Sequence, residues 1–150
     1  METLSFEEIL ARDGKLVYKT RGVSMLPMLR QNRDLVVIVP PSGKLKRYDA
    51  ALYKRGGQYI LHRVIDVRKD GYVFRGDNTV TPETGITDAD IVGVLRAFIR
   101  DGKMIPVTDL KYRLYVRFWH GTFPVRTFRN RIIFGLWGFL QRFRKLFTGR

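Results

Sequence analysis

Apolar and polar positions alternate in short runs through the first two thirds of the chain and then change to a helical spacing. Ser5-Phe6-Glu7-Glu8 has the form of a capping box, with Ser5 at the N-cap and Glu8 reaching back, and predicts a short helix to about Arg12 that ends at Asp13-Gly14. Strands are predicted for Lys15 to Thr20, for the β-branched run Asp34 to Val39 before Pro40-Pro41, and for Ala50 to Lys54. Gly56-Gly57 turns the chain into a hairpin partner over Tyr59 to Arg68, and Lys69-Asp70-Gly71 turns it back into Tyr72 to Arg75. Residues 79–90 read as a polar loop. Ile91 to Ile99 and Lys103 to Val107 complete the set around the Asp101-Gly102 turn.

Many short strands with tight turns and one small helix predict a mainly β fold, a curled antiparallel sheet or partial barrel. The character changes at Thr108. The expected division is therefore a body over 1–108 and a basic, aromatic, amphipathic extension over 109–150. Within the extension, Phe128, Ile132, Leu136, Phe139, Leu140, Phe143, Leu146 and Phe147 fall at helical spacing, with Arg126, Arg129, Arg131, Arg142, Arg144 and Lys145 between them.

Charge sharpens that division. The net charge of the 150 residues is +14. Residues 1–108 hold 18 Lys/Arg against 13 Asp/Glu, whereas 109–150 hold 10 Lys/Arg against Asp109 alone. Such an arm seeks an anionic partner. An anionic membrane surface met by residues 126–147 is the expected one, because aromatic residues face one way and arginines snorkel. Nucleic acid is the second class, and it is disfavoured because no helix-turn-helix or RNP-like motif is present. The longest apolar run, Ile132 to Leu140, is too short for a spanning helix. Residues 1–13 carry four acids and no apolar core of the signal-peptide kind. Peripheral membrane association is expected, on the cytoplasmic face.

Cysteine is absent, which excludes disulfides, thiolate zinc sites and a cysteine nucleophile. With only His62 and His120 available, no histidine-rich metal site is expected, and no cofactor is implied. Three segments can carry chemistry. In Gly22-Val23-Ser24-Met25-Leu26-Pro27-Met28, a glycine allows a sharp turn and a proline stiffens the residues after it, so the Ser24 hydroxyl can stand at the end of a strand near backbone donors. The plainer reading is a turn with an incidental serine. In Tyr59-Ile60-Leu61-His62-Arg63-Val64-Ile65, alternation puts His62 on the face of Ile60 and Val64, as a base or as a half-buried structural ring. In Gly76-Asp77-Asn78, Asp77 can orient a histidine, although Gly-Asp-Asn is also ordinary turn chemistry.

Together and in this order, the three segments resemble the signal-peptidase superfamily of serine proteases. The Ser24 segment looks like its nucleophile box, and Asp34-Leu35-Val36-Val37 and Tyr48-Asp49-Ala50-Ala51-Leu52-Tyr53 resemble the strands around it. Leu61-His62-Arg63-Val64-Ile65 resembles the base box of the endoplasmic-reticulum and archaeal branch, in which histidine replaces the bacterial lysine, and Gly76-Asp77-Asn78 resembles the third box. The resemblance covers about residues 15–99. It implies a serine endopeptidase with Ser24 as nucleophile, His62 as base and Asp77 as its orienting acid, cleaving signal- or leader-like segments with small residues before the scissile bond. It places Gly22 and Met25 as backbone support for an oxyanion. The chain departs from the family pattern in lacking an N-terminal anchor and in having Gly22 where a hydroxyl sometimes assists. A second acid of the histidine branch has three candidates here, Glu83, Asp88 and Asp90. The alternative class is a catalytically inactive binding module of the same fold, held to membrane or nucleic acid by its tail.

Overall fold

The computed structural model describes residues 4–129 together with 132, 133 and 137. Among them the chain divides into two compact units, Met1–Arg117 and Phe118–Arg150. The first opens with helix α1 (Phe6–Asp13). Ser5 and Glu8 close the expected capping box, and Gly14 at φ 67° ends the helix by returning its N–H to the Leu10 carbonyl.

The strands are β1 (Leu16–Lys19), β2 (Leu35–Val39), β3 (Ala50–Arg55), β4 (Gln58–Arg68), β5 (Gly71–Arg75), β6 (Glu83–Ile86), β7 (Ile91–Arg100) and β8 (Lys103–Pro106). They form a curled antiparallel half-barrel sheet in the order β1-β2-β7-β3-β4-β5-β6. One edge of β7 pairs with β2. Its other edge takes β3 at its first residues and β8 at its last. Register shifts interrupt β2–β7, β3–β7, β4–β5 and β5–β6, and such bulges raise the local twist that curls a sheet.

β3 explains why its apolar run is continuous rather than alternating. Ala50 and Leu52 enter a core with Leu16, Leu29, Val36, Ile38 and Phe98. Ala51 and Tyr53 enter a second, on the opposite face, with Val64, Tyr72, Phe74 and Ile86.

Two elements differ from the sequence reading. Residues 79–90 contain β6 and a single 3-10 turn, Asp88–Asp90, where a loop was expected. β6 is polar and glycine-bearing because it lies at the sheet edge, where backbone pairing to β5 suffices and only Ile86 is buried. Helix α2 (Leu110–Gly121) stands where only aromatic content was noted. Asp109 starts it by accepting the N–H groups of Lys111 (2.8 Å) and Tyr112 (3.1 Å). Tyr112 and Val116 then pack into the first core.

In the second unit the Arg126 guanidinium stacks 3.6 Å from the Trp119 ring centroid, and residues 123–129 are helical. Of the helix expected over 126–147, the residues 126–129, 132, 133 and 137 are helical, and the others lie outside the described residues. No helix among the described residues is long and apolar enough to cross a membrane.

Candidate active site

Ser24 sits in the loop between β1 and β2. Gly22, at φ 83°, supplies the left-handed turn that starts this loop. Met25, Met28 and Leu29 bury their side chains beneath it. Met25 is therefore an apolar anchor, and its carbonyl accepts the Leu29 N–H at 2.8 Å. Among the described residues neither the Ser24 nor the Met25 N–H donates to a backbone acceptor.

The far end of the loop is fixed by charge. Asp34, wholly buried, accepts the Arg30 N–H (2.9 Å), the Arg30 guanidinium (2.9 Å) and the Arg100 guanidinium (2.6 Å), and Arg100 also donates to the Met28 carbonyl. Burial alone would raise the Asp34 carboxyl; the two arginines and the backbone N–H overcome it and hold it at about 2.

The third segment clips onto this loop through its backbone. The Asn78 N–H donates to the Ser24 carbonyl at 2.8 Å, and the Asn78 amide donates to the Val23 carbonyl at 3.2 Å. Gly76 lies still closer. A Cβ on it would stand 2.6 Å from the Ser24 carbonyl oxygen, and 3.1 Å from both Ser24 Cβ and His62 Nε2. The serine side chain and the imidazole thus flank one small gap, separated by no more than twice that distance. No direct Ser24–His62 hydrogen bond is formed.

His62 projects from β4, paired with Ala51 of β3, and is nearly buried. Its Nδ1 lies 2.8 Å from Glu83 Oε1. Glu83 Oε2 accepts the Tyr53 hydroxyl (2.9 Å) and Arg55 (3.0 Å), so the carboxylate is held on both oxygens. A neutral ring that donates Nδ1–H to Glu83 leaves Nε2 as an acceptor toward Ser24. Burial lowers the His62 pKa below the usual histidine value, while the Glu83 charge and hydrogen bond and the more distant Asp77 charge oppose it. Burial thus favours the neutral ring. Tyr53, raised by burial and by Glu83, stays protonated.

Asp77 does not occupy the orienting position expected for it. Both its oxygens are taken by Arg63, at 2.8 Å each, with both side chains fully buried. Arg63 follows His62 in β4 and so points to the opposite face. Its third nitrogen donates to the Tyr48 carbonyl (2.9 Å) and the Tyr112 hydroxyl (3.0 Å). Burial alone would lower the Arg63 pKa, but Asp77 and Tyr112 outweigh it and raise it above the ordinary value. The pair anchors the Gly76-Asp77-Asn78 segment against Ser24. Of the three candidate second acids, Glu83 meets the histidine. Asp88 instead accepts the Tyr72 hydroxyl, and Asp90 accepts the Thr87 N–H and hydroxyl.

A cleft of about 860 Å³ opens beside Ser24. Tyr18 and Lys19 of β1 line it on one side, and Tyr59, Ile60 and Leu61 of β4 on the other. β1 ends the sheet order, and this stretch of β4 precedes the residues that pair with β5, so both strands bring unpaired edges to the cleft. Thr20, which also lines it, is buried, and its hydroxyl has no hydrogen-bond partner among the described residues. Sequence reasoning missed Thr20, Tyr53 and Arg63. Arg63 alone left a signal, as a charge beside His62 in the apolar stretch Tyr59 to Ile65. No group of three or more potential metal-ligating side chains occurs among the described residues. Comparison with protein-family models, curated proteins and solved structures gave no match to this chain.

Proposed function

We propose that this chain is a serine endopeptidase of the signal-peptidase type, histidine-base branch, with Ser24 as nucleophile, His62 as general base and Glu83 as the acid that orients it. The observation that carries the reading is the arrangement at Gly76, where Ser24 Cβ and His62 Nε2 stand equidistant from one point while Glu83 holds the other ring nitrogen. Apo sites of this kind commonly tighten only when substrate binds.

His62 Nε2 takes the hydroxyl proton as Ser24 Oγ attacks the scissile carbonyl carbon. The Ser24 N–H donates to the oxyanion. On collapse, the carbon–nitrogen bond breaks, and His62 gives its proton to the leaving amine. Water, deprotonated by His62, then attacks the acyl-serine, and the proton returns to Ser24 as the ester breaks. The substrate is an extended segment of a protein, because two unpaired strand edges border the cleft and an extended chain satisfies both. A peripheral position at an anionic membrane surface, through residues 126–147 and on the cytoplasmic face, belongs to the same proposal.

The competing class is a binding module that keeps the fold without catalysis. A fluorophosphonate reagent separates the two. At pH 8 it should phosphonylate the chain once, on Ser24 with loss of fluoride, as located by mass spectrometry, and leave Ser24→Ala unmodified. A folded wild-type chain that resists the reagent would favour the binding module.

A further inference from the structure

We propose that the first unit carries its own binding site for the phosphate of an anionic lipid headgroup, in the cleft between the segment before β3 and helix α2. This site deepens the peripheral-membrane reading, but it requires neither the tail at 126–147 nor proteolysis.

The cleft encloses about 500 Å³. Lys46 and Arg47 stand on one wall, Arg113 and Arg117 on the other, and Tyr48 and Tyr112 contribute to its lining. All four cations are exposed, and none has an ion-pair partner among the described residues. Arg30, Arg55, Arg63 and Arg100 of the same unit each meet a carboxylate; Lys15, Lys69 and Lys103 also form no ion pair among the described residues, but they do not line this cleft. Asp49 is the one acid in the lining, and one of its carboxylate oxygens accepts the Lys46 N–H. Four unneutralised cations around one concavity attract a polyvalent anion.

The neighbouring residues of α2 decide which anion. Tyr112 and Val116 of this helix face the core. Leu110 and Leu114 lie on roughly the opposite side by helical spacing, and they are 67% and 58% exposed. Arg113 and Arg117 flank that outward stripe on one side and Lys111 on the other. An aliphatic stripe between cations fits the boundary between headgroups and acyl chains, with leucines in the apolar layer and arginines at the phosphates. A nucleic acid would leave both leucines in water, and of the two rings lining the cleft Tyr112 is buried against Arg63 while Tyr48 already carries the Arg47 guanidinium 5.0 Å from its centroid.

The test uses the full chain. It contains no cysteine, so Leu114→Cys gives one attachment point for an environment-sensitive fluorophore. With vesicles of phosphatidylcholine containing about one third phosphatidylglycerol, the probe at position 114 should shift to the blue, while a probe on Lys69→Cys should not. Replacing Lys46, Arg47, Arg113 and Arg117 by Gln should weaken partitioning by at least about tenfold. Replacing Lys15, Arg68, Lys69 and Lys103 should cost no more than about threefold. The proposal is overturned if position 114 stays in water on vesicle-bound protein, or if the two charge sets lose binding equally. It is also overturned if the cleft variant loses binding to single-stranded RNA while its vesicle binding is untouched.

Discussion

Gly76→Ala should reduce peptide cleavage, and the rate of fluorophosphonate labelling at Ser24, by at least about a hundredfold. Gly76 has no unusual φ to protect; it provides space. The added methyl would meet the Ser24 carbonyl oxygen at 2.6 Å, far inside van der Waals contact, with Ser24 Cβ and His62 Nε2 each at 3.1 Å. The carbonyl belongs to the backbone and accepts the Asn78 N–H, so it cannot turn aside as a flexible side chain would. Either the Ser24 loop or the Gly76 segment must retreat, and both border the gap between Ser24 and His62 across which the proposed reaction runs. A misplacement of about 1 Å costs on the order of a hundredfold in rate, and overpacking adds about 1–3 kcal/mol of destabilisation. The measurement belongs well below the melting temperature of the variant, with circular dichroism confirming the fold. A folded Gly76→Ala chain that cleaves at the wild-type rate would show that Ser24 and His62 do not react across this gap.

That gap lies beyond what the linear sequence displays, and the reason is topological. Most strands were readable because they bury apolar residues and end at turn residues, as in Gly56-Gly57 between β3 and β4. β6 was not, because an edge strand held by backbone bonds needs no apolar alternation. Its omission also left Glu83 as one of three candidate acids, with nothing to single it out. In the register, Glu83 lies opposite Phe74, and Phe74 opposite Val64, two residues from His62 on the same face. The carboxylate therefore reaches the imidazole by way of two strand pairings, and no spacing in the chain announces this. Asp77 looked the better partner because it stands in the Gly76-Asp77-Asn78 segment that resembles the family's third box. The residue that claims it, Arg63, sits one position from the histidine on the other face of β4. The alternation that aims His62 at Ser24 also aims Arg63 at Asp77.

Glu83→Gln and Asp77→Asn should therefore fail in different ways. Glutamine keeps the size of Glu83 but removes the charge that stabilises the imidazolium, and it leaves one acceptor oxygen where His62, Tyr53 and Arg55 now share two. A fall in kcat/KM of about a hundredfold or more is expected, less than the roughly ten-thousandfold seen for a buried triad aspartate, because Tyr53 remains within 3.3 Å of Nδ1. The pH profile carries the sign. Burial lowers the His62 pKa and Glu83 raises it, so losing Glu83 should move the acid limb of kcat/KM to lower pH while the plateau falls. Asp77 is only a remote, smaller contributor in the same direction, so Asp77→Asn should leave that limb close to its wild-type position. Its cost falls on stability instead. It strands the fully buried Arg63 guanidinium, and breaking such a pair costs about 3–5 kcal/mol. Denaturant unfolding of both variants, beside their pH–rate profiles, reads the two effects separately. An acid limb that shifts with Asp77→Asn and stays fixed with Glu83→Gln would return the orienting role to Asp77 and remove Glu83 from the mechanism.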